Sequence, residues 1–136
     1  MPSSNVELVQ RLLGVYLSGD QEGLKEIIDP SAEIYGAPGL INSGTYIGYD
    51  GFQEWIRQWE EAWDSADYDL GEVIEVSDEI VVIPTHIVGR GAGSGVEIES
   101  DFGWLFEFRN GRATRFHAYV RPDEALEAGR KLTGTE

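Results

Sequence analysis

The main change in the hydrophobic period of this chain comes at Tyr68. Through Trp63 its apolar residues recur three and four apart, and from Tyr68 onward they alternate with polar ones. A helical half followed by an alternating half buries its apolar surface by laying helices on a sheet, the α+β arrangement. Within the alternating half, Asn110-Gly111 is a strong short hairpin signal, the dipeptide of a type I′ turn. Strands are expected near Tyr68–Val76, Glu79–Gly89, Val96–Phe108 and Ala113–Val120, with a short one earlier at Glu33–Tyr35.

The helical half divides at its turn residues. Ser4-x-x-Glu7 reads as a capping box, followed by Val6, Val9, Leu13 and Leu17 at helical spacing, with Leu8, Leu12, Val15 and Tyr16 widening the stripe. Gly19-Asp20 ends that helix. A second runs through Leu24, Ile27 and Ile28 to Asp29-Pro30. Gly36 to Gly48 reads as a loop. Asp50-x-x-Gln53 is a second capping box, opening a helix with Phe52, Trp55, Ile56, Trp59 and Trp63 on one face. A last helix begins at Pro122.

Length and charge narrow the function. The 136 residues suit one domain, 1–136, large enough to need no staple. The chain has no cysteine, so disulfides, thiolate metal sites and a cysteine nucleophile are excluded. No apolar run reaches membrane-span length and the start has no basic segment, so a cytoplasmic protein without a membrane partner is expected. A net charge of -15 repels nucleic acid.

Counting outward from a two-residue turn, Arg109 pairs with Arg112, Trp104 faces His117 and Phe102 faces Tyr119, all four of the latter on one sheet face. The other face then carries Glu97, Glu99, Asp101, Leu105 and Phe116, next to Val81, Ile83 and Ile87. Apolar residues on both faces need cover on both. A homodimer through the sheet face is expected to supply it, the alternative being the C-terminal tail.

The order of elements, with Gln10-Arg11 to Gly19-Asp20, Asp29-Pro30-Ser31-Ala32-Glu33-Ile34, Gly51-Phe52, Gly93-Ser94-Gly95-Val96-Glu97, Phe108-Arg109-Asn110-Gly111-Arg112 and Tyr119 before Glu124-Ala125-Leu126-Glu127-Ala128, resembles the SnoaL-like group of the nuclear-transport-factor-2-like fold. The resemblance implies three N-terminal helices packed on a curved antiparallel sheet around a cone-shaped pocket. The family includes ketosteroid isomerases, polyketide cyclases, epoxide hydrolases and dehydratases. Positions matching the isomerase tyrosine and two acids are Leu12, Gly36 and Trp104. Those matching the epoxide hydrolase set are His86, Pro84 and Arg121. Neither set is present.

The remaining chemistry falls to a few residues. His86 and His117, the two histidines, titrate near neutrality and suit proton transfer, with Tyr119 to orient or polarise a substrate. The plainer reading of each is a structural hydrogen bond to a neighbour. Tyr16 and Tyr35 offer hydroxyls, Arg121 a carboxylate or phosphate fork, and Trp55, Trp59, Phe102 and Trp104 an aromatic wall, or in the plain reading a packed core. The alternating Gly89, Gly91, Gly93 and Gly95 lack the helix that a dinucleotide fingerprint requires. No metal and no cofactor are expected. The expected function is a pocket for a small, largely apolar or aromatic molecule, with cofactor-free acid/base chemistry on it. The alternative is a non-catalytic binding or dimerisation module.

Overall fold

The computed structural model describes residues 7–12, 14, 21–36 and 44–133. Residues 7–12 and 14 are helical (α1), followed by α2 (Gln21–Ile27), β1 (Ile28–Gly36), β2 (Gly44–Ile47) and α3 (Gly48–Glu61). Then come β3 (Trp63–Leu70), β4 (Ile74–Glu75), β5 (Ile80–Gly91), β6 (Glu97–Arg109), β7 (Arg112–Tyr119) and α4 (Pro122–Thr133). The strands form one curved sheet in the order β2-β1-β7-β6-β5-β3, with β4 beside β5. The pairing is antiparallel except where β1 runs parallel to β7. Among the described residues no helix is long and apolar enough to cross a membrane.

Several boundaries differ from the sequence expectations. Ile28 starts β1 rather than ending α2, because its side chain joins the core through the sheet. The expected loop 36–48 contains β2, while 37–43 lie outside the described residues, as does Ser4 of the first capping box. Helix α3 begins two residues before Asp50. Its N-cap is Ile47, with no side-chain cap bond, so Asp50 lies in the first turn where its charge favours the helix dipole. Gly48 makes the entry possible: its φ is 71°, and a Cβ there would sit 2.7 Å from the Pro30 carbonyl oxygen. Trp63 leaves the helical stripe and starts β3.

The hairpin turn forms as read. Asn110 and Gly111 have φ of 54° and 77°, and Arg109 faces Arg112. The register then slips by one residue. Phe108 pairs with Ala113 but Glu107 pairs with Arg115, leaving Thr114 as the extra residue of a β-bulge. The Thr114 hydroxyl lies 2.9 Å from a Glu107 carboxylate oxygen and 3.2 Å from the Glu107 carbonyl. Beyond the bulge Trp104 pairs with Ala118, Leu105 with His117 and Gly103 with Tyr119.

A one-residue slip exchanges faces. Phe102, Trp104, Phe106, Phe116 and Ala118 therefore share the inner face with Val81, Ile83 and Ile87, under α1, α2 and α3. His117 and Tyr119 lie on the outer face with Leu105. The expected grouping of Trp104 with His117, and of Phe116 on an uncovered second face, is corrected by this bulge, while the placing of Val81, Ile83 and Ile87 beside Leu105 is corrected by the β5–β6 register, which pairs Val81 with Phe106, Ile83 with Trp104 and Ile87 with Ser100. Helix α4 supplies the outer cover: Ala125 packs with Ile80, Val82 and Leu105, all buried. So the helices do not all lie on one side, and the C-terminal segment takes the role assigned to a second subunit.

Gly103 seats α4. A Cβ there would lie 2.7 Å from the Ala125 Cβ and 2.9 Å from the Pro122 Cα. Gly103→Ala is expected to cost about 1–3 kcal/mol in urea denaturation through overpacking, with α4 amides losing hydrogen-exchange protection first. Unchanged stability would mean that α4 is not held against this strand.

Candidate functional site

The inner face is an aromatic wall. Helix α3 places Phe52, Trp55 and Trp59 toward the sheet at i, i+3 and i+7, all buried. Trp55 and Trp59 stack with centroids 6.4 Å apart and planes at 6°. Both meet Trp104 edge-on, at 6.1 Å and 6.0 Å. Trp104 in turn stacks between Phe102 and Phe116, at 6.1 Å and 5.7 Å. Such pairs add about 0.5–1.5 kcal/mol each beyond the area they bury.

Trp104 itself stays partly exposed. Its neighbours on the wall, Ile83, Phe102, Phe106 and Ala118, are buried to 6% exposure or less. Of the five rings in this group, Trp104 is the one that is not fully buried. The inner positions of β5, β6 and β7, from Val81 to Ala118, carry no ionisable side chain. The polar atoms sit toward the edge strands. The Trp59 indole donates to the Tyr68 hydroxyl at 2.8 Å, and Tyr46 Oη lies 3.3 Å from Gln58 Oε1. Burial pushes the Tyr68 phenol above its ordinary value. Trp63 lies flat on Gly89, where a Cβ would come within 2.5 Å of its ring. The Trp63 indole nitrogen is buried with no hydrogen-bond partner among the described residues.

The two histidines lie on the other side of the sheet. His86 pairs with Asp101 across β5 and β6, and its Nδ1 is 2.6 Å from Asp101 Oδ1. Its Nε2 is 3.4 Å from Glu99. The Asp101 hydrogen bond, then the charges of Asp101, Glu99 and Asp69, raise its pKa. His117 stacks on Tyr119 at 4.1 Å and meets Tyr35 at a tilt, 5.1 Å away. Its Nδ1 lies 3.0 Å from Tyr119 Oη, and the imidazole tautomer sets which of the two donates. Burial, then Arg115, lowers its pKa. Strand spacing separates the two imidazoles by about 16 Å, two strands across and four residues along, so they do not act on one small molecule.

The expected site residues thus divide. Trp55, Trp59, Phe102 and Trp104 come together on the inner wall. His86, His117, Tyr119 and Tyr35 belong to the outer face, and their expected place in the cone is corrected by the sheet register. Arg121 is exposed after β7, and Tyr16 lies outside the described residues. Two residues were not anticipated. Tyr68 carries a polar group at the wall's edge, and Arg115 buries a guanidinium Nε without a partner among the described residues. No local motif marks either, since both depend on strand pairing.

A curved sheet wrapped around helices with an aromatic interior defines a nuclear-transport-factor-2-like α+β cone. The SnoaL-like domain profile matches residues 9–116, and the chain belongs to that family. No curated protein matches. Among solved structures, TerC co-crystallized with polyporic acid is 22% identical, with 92% of this chain and 99% of that one covered and a TM-score of 0.74. An NTF2-like protein of unknown function from Burkholderia pseudomallei K96243 is also 22% identical, with 93% and 97% covered and a TM-score of 0.76. A protein from Jannaschia sp. CCS1, provisionally assigned as a SnoaL-like polyketide cyclase, is 16% identical, with 98% and 94% covered and a TM-score of 0.73. These likenesses establish the fold.

The histidines provide a direct check on the two faces. NMR titration is expected to place His86 above and His117 below the ordinary histidine value, with Asp101→Asn lowering His86 alone. Their stability effects have opposite signs. The His86 contribution is full below the ordinary value and is lost as pH rises through its raised pKa. The His117 contribution is lost as pH falls through the ordinary value toward its lowered pKa. Two overlapping titrations would contradict this geometry.

Proposed function

We propose that this protein binds a small, flat, largely apolar or aromatic molecule in the cone between α3 and the inner sheet face. The partly exposed Trp104, ringed by Trp55, Trp59, Phe102 and Phe116, carries the reading. Pockets of this kind combine apolar walls with a few placed polar groups. The small-molecule ligand of TerC supports the same use of the fold. Family membership supports cofactor-free chemistry of cyclase or isomerase type on the bound molecule. On the described inner wall such chemistry would draw on hydroxyl groups, because imidazole and carboxylate are missing from the inner positions of β5, β6 and β7.

The neutral fluorophore N-phenyl-1-naphthylamine tests the binding reading. Saturable binding is expected, with Trp104→Ala weakening it about tenfold or more while unfolding stays cooperative. Without saturable binding, the non-catalytic dimerisation module takes over.

A second reading concerns assembly. Beside α4 the outer face keeps the Tyr35–His117–Tyr119 ring stack and, on β2, an Ile47 that is 56% exposed. We propose that this part of the face, rather than the apolar area expected from the sequence, joins two copies. Sedimentation is expected to give about twice the 15.1 kDa chain mass, and Ile47→Lys to shift it toward one chain. A wild-type monomer at tens of micromolar would end this reading.

A further inference from the structure

The Tyr68 hydroxyl is held in one orientation at the rim of the aromatic wall. Tyr68 pairs with Ile87 across β3 and β5, which puts it on the inner side of the sheet, and it is 44% exposed. The Trp59 N–H donates into its oxygen at 2.8 Å. Trp59 is only 4% exposed and is held by Trp55, Trp63, Phe102 and Trp104, so it has little freedom to turn. With that lone pair occupied, the phenol O–H must point elsewhere, and among the described residues no acceptor receives it. An oriented donor left open beside an apolar wall is the arrangement that gives a pocket its polar specificity.

We infer that Tyr68 is a specificity-determining residue that donates a hydrogen bond to an uncharged carbonyl-type oxygen on a flat aromatic ligand. This rests on the proposal that the cone binds such a molecule. It adds a donor on β3, away from the isomerase-like positions Leu12, Gly36 and Trp104, none of which carries a hydroxyl or an acid. A neutral acceptor suits the site better than an anion. No cation stands on the inner positions of β5, β6 and β7, and the chain carries a net charge of -15. A phenol is protonated through the neutral range at its ordinary value, and burial moves Tyr68 further in that direction, so it stays a donor. A ligand lacking the oxygen would forgo that hydrogen bond.

Equilibrium dialysis with 9-fluorenone and with fluorene, the same ring frame without the carbonyl, tests the inference. The wild type is expected to bind fluorenone about tenfold more tightly than fluorene. Tyr68→Phe is expected to abolish that preference by weakening fluorenone alone, its unchanged fluorene affinity reporting an intact cone. Trp59→Phe, which removes the orienting N–H, is expected to reduce the preference in the same direction. Equal binding of the two by wild type, or a preference that survives Tyr68→Phe, overturns the role of Tyr68 and leaves the cone reading standing. If neither compound binds, the cone reading fails and this inference falls with it.

Discussion

One inserted residue decides which side chains meet in this protein. Thr114 bulges from β7, tied by its hydroxyl to Glu107, and every pairing beyond it moves by one position. Because strand side chains alternate, that step puts Trp104, Phe106 and Phe116 under the helices and turns His117 and Tyr119 away. The place of Phe116 and Ala118 in the core and the outward facing of His117 and Tyr119 both follow, while the β5–β6 pairing places His86. Without the bulge, Trp104 and His117 would share a face and Phe116 would leave the core.

With the faces set this way, the interior is built from rings rather than charges. Trp55, Trp59 and Trp104 contact one another at about right angles or in parallel, geometries that suit the ring quadrupole. Such a wall attracts flat apolar surface and offers little to polarise it. Polar character enters at the margin, where Trp59 fixes Tyr68. On the outer face the logic is reversed. His86 is surrounded by Asp101, Glu99 and Asp69, which favour its protonated form, while His117 is sheltered between two phenol rings, which favours its neutral form.

Helix α4 connects the two faces structurally. It covers Ile80, Val82 and Leu105 on the outer side, so the central strands are buried on both faces without a partner. Its close approach needs Gly103 bare of a side chain. Tyr119 packs along its edge, with His117 and Tyr35 beyond on one side and the His86 carboxylate cluster on the other.

Much of this was written in local pattern. The period change, the Asn110-Gly111 turn with its Arg109–Arg112 pair, the α3 stripe of Phe52, Trp55 and Trp59, and the helix at Pro122 each depend on residues within a few positions of one another. So did the family resemblance, which the SnoaL-like match to residues 9–116 bears out. The sequence alone therefore determined an α+β cone with an aromatic lining. The tertiary structure decided where β1 joins the sheet, which face each strand residue occupies, what covers Leu105, and that Tyr68 meets Trp59. The reason is physical: a bulge at an ordinary threonine has no local signature, yet it reverses the facing of every residue that follows it, and contacts between strands exist only once the sheet is assembled.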